Sequence, residues 1–191
     1  MLEHIPVEIG RALRGVRAGY AKVVSEDPAF SGAPQTMLLQ SPVFRDGRPI
    51  PVLYTNDGEG MSPPLRWSGV PAGSHGLVVI VEDADAPTPD PLVHMLAWDL
   101  PPGGDGLEEG ALRSPRHAGQ EAGVGRNAFR RIGWLPPDPP RGHGPHLYVF
   151  QIFALDRRLE LADHPGRSTL KAAMASHVLA RGVLLGTYER P

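Results

Sequence analysis

Asp83-Ala84-Asp85-Ala86-Pro87 closes the apolar run Leu77-Val78-Val79-Ile80-Val81, and His94 follows just before Met95-Leu96-Ala97-Trp98. A second histidine, His146, stands at the entrance to a third apolar run, Leu147 to Leu155. Imidazole titrates near neutral pH, and a neighbouring carboxylate raises its pKa and fixes its tautomer. Acids at the mouth of one strand and histidines at the starts of two others would therefore form one wall of a polar pocket. Alternate residues of a strand share a face. If that alternation persists past residue 82, Asp83 and Asp85 point the same way. The plainer readings are a turn cap for the acids, since aspartate before proline is ordinary turn chemistry, and a satisfied core position for each histidine.

Other chemistries have weaker support. An Asp-x-Asp pair also occurs in metal-dependent glycosyltransferases, but no nucleotide-binding pattern surrounds this one. Gly142-His143-Gly144-Pro145-His146 suggests a metal, yet two histidines three apart serve best on a helix, which glycine and proline rule out here. No metal or other cofactor is expected. Ser168-x-x-Lys171 matches the serine-lysine motif of penicillin-binding enzymes without its partner motifs. There is no Gly-x-Ser-x-Gly elbow and no cysteine, so a serine or cysteine nucleophile has no sequence support.

The elements that must position these groups are short. With 23 glycines and 22 prolines in 191 residues, turns outweigh long helices, and the expectation is an all-β dominated fold. Strands are predicted at 36–40, 50–55, 65–67, 77–82, 93–100 and 147–155. The runs 77–82 and 147–155 are apolar on both faces and should be covered on both sides. Residues 4–20 are predicted to form a helix, with Ile5, Ile9, Leu13, Val16 and Tyr20 on one face and Arg11, Arg14 and Arg17 opposite. Residues 25–35 look like a linker, and 101–146 is irregular. A late helix is expected over 168–181, capped by Ser168 and stopped by Gly182, followed by a strand from Val183 to Tyr188. This gives an N-terminal amphipathic helix over 1–24 and one domain over 36–191. The unpartnered apolar stripe of the helix leads us to expect a homodimer.

Composition narrows the partners. A formal charge of −2 offers no electrostatic case for nucleic acid. The aliphatic runs fall far short of the roughly 20 residues a membrane-spanning helix needs. The N-terminus lacks a signal peptide's apolar core, and cysteine is absent, so a cytoplasmic location is expected.

Taken together, Asp83 to Pro87, His94 and Pro139-Pro140-Arg141-Gly142-His143-Gly144-Pro145-His146-Leu147-Tyr148-Val149-Phe150 resemble the phosphatidylethanolamine-binding protein family, most closely its bacterial Raf kinase inhibitor-like branch. Ser62-Pro63-Pro64-Leu65, Val70-Pro71-Ala72-Gly73, Gly125-Arg126-Asn127 and Phe153-Ala154-Leu155-Asp156 add to the likeness. The resemblance implies an antiparallel β-sandwich with a small helix near the C-terminus. It also implies a shallow anion pocket formed by Asp83, Asp85, Pro87, His94, Pro139, Pro140, His146 and Tyr148. Its ligand would be phosphate, a phosphomonoester or a phospholipid headgroup. Relatives act as kinase or protease regulators, so a protein partner of that type is implied as well. The Ala86-Pro87 bond is implied to be cis. This chain departs from the motif at Ala84, where a proline is usual, at Leu92 and Val93, where aromatics are usual, and at Leu147, where an arginine is usual. Losing the aromatics removes a cation–π platform for an ammonium group, which favours plain phosphate.

Asp83 is expected to hold His94 or to be protonated when the ligand binds, with imidazolium groups, the Tyr148 hydroxyl and backbone N–H groups bonding the anion. Affinity should then rise as pH falls through about 6.5. The competing reading is a hydrolase in which an Asp83-His94 pair activates water against an ester or phosphoester.

Overall fold

A computed structural model describes residues 6–113 and 122–190. Nine strands account for most of the regular structure: β1 (Leu38–Gln40), β2 (Arg48–Pro49), β3 (Leu65–Ser68), β4 (Gly76–Asp83), β5 (Leu92–Leu100), β6 (Gly106–Leu107), β7 (Gly123–Val124), β8 (His146–Leu155) and β9 (Val178–Tyr188). Two short helices, α1 (Val7–Ala12) and α2 (Arg167–Met174), flank them. A six-stranded sheet runs β2-β9-β8-β4-β5-β7 and a three-stranded sheet runs β1-β3-β6. All pairings are antiparallel except β2 with β9.

The large sheet is apolar on both faces because both are covered. Leu77, Val79 and Val81 of β4 pack with Tyr148, Phe150 and Ile152 of β8 against Leu39, Leu65 and Trp67 of the small sheet. The alternate residues Val78 and Ile80 meet Phe153, Val24, Phe30 and the α2 residues Leu170 and Met174. The two-sided cover is what the apolar runs predict, and the sandwich is the one the family resemblance implies, with α2 and the 24–30 segment closing the outer face.

Several expected elements take a different form. The N-terminal helix is only α1, and its predicted start at residues 4 and 5 lies outside the described residues. Gly15 and Gly19 follow α1, and Gly19 sits at φ 100°, a left-handed backbone that ends any helical continuation. Residues 25–35 form tight turns rather than a loose linker, because Val24 and Phe30 are buried against the sheet. Residues 50–55 hold a single 3₁₀ turn, Val52–Tyr54, since Pro49 and Pro51 deny the ladder two donors. The late helix stops at Met174, and Val178 and Arg181 belong to β9 instead. Gly182 lies inside that strand, close against the Met37 carbonyl, and Gly166 rather than Ser168 occupies the N-cap. No peptide bond among the described residues is cis, so the expected cis Ala86-Pro87 bond is corrected to trans. No helix among the described residues is long and apolar enough to cross a membrane.

Candidate functional site

The strand ends converge on one cavity of about 280 Å³. Asp83, His94 and His146 line it, together with Pro87 and Ala86 from the β4–β5 turn and Asp138, Pro139 and Pro140 from the loop before β8. Its remaining walls are largely apolar, from Leu13, Leu92, Phe129 and Leu135. Residues 129–140 of the irregular stretch thus contribute walls of the cavity.

His94 reaches the cavity because β5 is bulged. Val81 pairs with Met95 and Glu82 with Val93, so His94 has no partner across the ladder. Val93 packs on the outer face and Met95 on the inner one. The extra residue places His94 beside Met95 on the inner side, a common use of a bulge. There it meets Tyr148 edge-on, with ring centroids 5.1 Å apart, and Trp134 at 6.2 Å. Leu135 grips it twice. The Leu135 N–H donates to the His94 carbonyl at 2.9 Å, and His94 Nδ1–H donates to the Leu135 carbonyl at 2.7 Å. A carbonyl only accepts, so Nδ1 carries a hydrogen. Burial pushes the His94 pKa down, against the pull of Asp83 and the Leu135 bond. Neutral His94 then holds a bare lone pair on Nε2, which is buried without a partner.

Asp83 does not hold His94. It ends β4 opposite Tyr148 of β8, and its Oδ2 accepts from His146 Nδ1 at 2.7 Å while Oδ1 accepts from the Asp85 N–H at 2.8 Å. His146 opens β8, so strand pairing itself brings the acid to this histidine. The other His146 nitrogen lies 2.7 Å from His143 Nδ1. His143 Nε2 in turn donates to the carbonyls of Leu13, at 2.8 Å, and Val16, at 3.2 Å. Gly142 (φ 77°) and Gly144 (φ 99°) give the loop the left-handed turns that fold His143 back onto His146.

This row has a definite proton count. The contacts Leu13–His143, His143–His146 and His146–Asp83 each need one hydrogen. Three hydrogens shared by two imidazoles and one carboxylate leave zero net charge, whichever atoms carry them. Burial lowers the His143 pKa, with His146 adding to the effect, so the neutral form of His143 is favoured within the row. The repulsion that a free carboxylate would exert on an anion is thereby cancelled inside the protein.

Asp85 turns away from the cavity. Its carboxylate accepts from the Leu147 N–H at 2.9 Å and pairs with Arg17 at 2.9 Å. The strand ends at Asp83, so the alternation expected to align the two acids stops two residues short of Asp85. Tyr148 lies behind His94, fully buried, with its hydroxyl unpartnered. Burial holds its pKa well above the ordinary value, so it stays a donor. Of the five buried side-chain polar atoms without a partner among the described residues, three are His94 Nε2, Tyr148 Oη and Trp134 Nε1, on rings packed around His94.

Sequence reasoning missed two contributors and misread a third. Asp138 lines the cavity and pairs with the buried Arg190 at 2.5 Å, while Arg190 also holds Asp57. Nothing in Pro136-Pro137-Asp138-Pro139 singles the aspartate out from a turn residue. His143 stood out only as a metal candidate, and no group of three or more histidine, aspartate or glutamate side chains among the described residues is arranged to hold a metal ion. The Asp83-His94 pair expected in the competing hydrolase reading is not formed: Asp83 bonds His146, and His94 Nδ1 bonds the Leu135 carbonyl.

Comparison with known proteins agrees with this architecture. The family pattern described as phosphatidylethanolamine-binding protein matches residues 40–189, and the chain belongs to that family. A UPF0098 protein of Pyrococcus abyssi is 40% identical over 165 residues, covering 84% of this chain and 90% of its own. Among solved structures, a phosphatidylethanolamine-binding protein homolog from Chlamydia trachomatis superimposes with a TM-score of 0.74 at 37% identity, covering 82% of this chain and 99% of its own. E. coli YbcL, described as a member of the mammalian family, does so with a TM-score of 0.76 at 28% identity and the same coverage.

Proposed function

We propose that this protein binds a small ligand through an anionic head, a phosphate or phosphomonoester group, seated between His94 and His146. The observation that carries the reading is the cluster of unpartnered polar atoms around His94. A buried polar group left unpaired costs about 1–3 kcal/mol, and such groups in native proteins call for an explanation. A ligand oxygen supplies one. Family membership supports a ligand-binding role, and the charge-neutral Asp83 row lets an anion approach.

The neutral tautomer of His94 makes binding proton-linked. Bare Nε2 cannot donate to phosphate, so the site takes up a proton, or accepts one carried by the ligand. In the unfolded chain an imidazole titrates at about 6.5, and in the folded apo protein burial holds His94 and His143 lower. Above about 6.5 neither state gains a proton from these groups. As pH falls below that value the unfolded chain takes up protons that the folded chain does not, so apo stability falls. Phosphate reverses the trend by favouring protonated His94. Affinity is therefore expected to rise with falling pH and to keep rising below about 6.5, lower than an unperturbed histidine would give. Calorimetry in buffers of different ionisation enthalpy checks this. Equal affinity from pH 5.5 to 8 with no proton uptake would remove His94 from the account.

The same cavity suits a regulator that reads a phosphorylated or acidic segment of a partner enzyme. Pull-down with and without competing phosphate tests that role. A homodimer is the expected assembly, because Ile9, Val16 and Tyr20 remain exposed. Mass in solution before and after substitution of these three to serine tests it. We place the protein in the cytoplasm on its lack of cysteine. A Mycobacterium tuberculosis relative, 35% identical over 164 residues, bears the name lipoprotein LppC, and recovery in a membrane fraction would overturn the placement.

A further inference from the structure

We propose that residues 7–19 form a ligand-selecting strap, in which Leu13 makes the site prefer a phosphomonoester bearing a short apolar substituent over free phosphate. The inference rests on the anion-binding reading above and adds the class of ligand. Residues 7–19 lie outside the stretch that matches the family, 40–189, yet Leu13 is a wall of the cavity. Leu13 also ends the row of hydrogen bonds that begins at Asp83, because its carbonyl accepts from His143. One wall residue is thus tied to the polar floor through two imidazoles.

The strap is seated by both loops that build the cavity. From the loop before β8, Gly142 accepts from Arg14 Nε at 3.2 Å and Pro145 from Arg17 Nη1 at 2.9 Å. From the β4–β5 turn, Ala86 and Ala84 accept from the N–H groups of Ala18, at 3.0 Å, and Gly19, at 2.8 Å. Gly10 packs so closely that an added Cβ would collide with the Arg141 carbonyl. Arg14 and Arg17 of the strap go to these carbonyls and to Asp85, and the strap presents Leu13 to the cavity. Leu92, Phe129 and Leu135 line the same cavity as Leu13. An anion between His94 and His146 would therefore carry its substituent into an apolar mouth.

Calorimetry of the full chain with inorganic phosphate, methyl phosphate and butyl phosphate tests the proposal. Each buried methylene is worth up to about fourfold in affinity, so butyl phosphate should bind about tenfold or more tightly than methyl phosphate. In Leu13→Ala that ratio should fall toward unity. Ile9→Ala, at an exposed strap position, should keep the wild-type ratio. Sedimentation with phosphatidic acid vesicles, against phosphatidylcholine vesicles, distinguishes a lipid source of the ester from a soluble one, and the strap selects in either case. Failure of all three anions to bind would overturn the anion reading and this inference with it. Binding of phosphate without any gain from the butyl chain, or a gain that survives in Leu13→Ala, would overturn the strap alone.

Discussion

Asp83→Ala is expected to destabilise the fold by about 3–5 kcal/mol, the usual cost of removing one partner of a buried ion pair, and to abolish phosphate binding. Asp83 and His146 are nearly inaccessible to solvent, at 4% and 1% exposed. The acid accepts from His146 and from the Asp85 N–H. Without it, the row must either keep its hydrogens as a net positive charge with no counter-ion or give up one of the bonds that link it to His143 and Leu13. Asp83→Asn should cost less than Asp83→Ala, because its amide oxygen still accepts from His146, although the carboxylate charge and the acceptor of the Asp85 N–H are both lost. Urea unfolding of both variants measures this. An Asp83→Ala protein as stable as the wild type would mean that the row is not a coupled unit.

His94→Ala should separate binding from folding. The ligand loses a charge-assisted bond worth about 1.5–3 kcal/mol, which is about 10- to 150-fold in affinity. Folding loses the Nδ1 bond to Leu135 but is also relieved of the orphaned Nε2. These effects oppose one another, and burial of the ring already favours its neutral form. The expected outcome is a variant whose phosphate affinity falls at least tenfold while its unfolding midpoint moves much less than that of Asp83→Ala. Affinity within twofold of wild type would place the anion elsewhere.

The doubly covered central strands were legible because Leu77 to Val81 and Leu147 to Leu155 are apolar on both alternating faces, while the sandwich itself was implied by the family resemblance. The convergence of Asp83, His94 and His146 was legible in outline, because all three sit at strand ends. Their partnerships were not. Which acid meets which histidine depends on the pairing of β4 with β8 and on the bulge at His94, and a bulge leaves no mark in a string of Leu, Val and Met. Asp85 shows the limit of alternation, since the rule of shared faces ends where the strand ends. Arg181 reads as the end of a helix, with Gly182 as its stop, because Leu170, Met174 and Val178 keep a spacing of four, although the chain crosses from α2 into β9 between the second and third of these. His143 passed as a loop residue or metal candidate because its function depends on Gly142 and Gly144 folding it back on His146, a turn geometry that composition permits but does not specify.

Nitrogen-15 NMR of the imidazole rings during a phosphate titration at pH 7 tests the central claim most directly. Free protein is expected to show His94 with hydrogen on Nδ1 and a bare Nε2. Saturating phosphate is expected to convert that Nε2 to the protonated or hydrogen-bonded form and to shift His146 in step. His94 and His146 resonances that do not move when phosphate is bound would contradict the account.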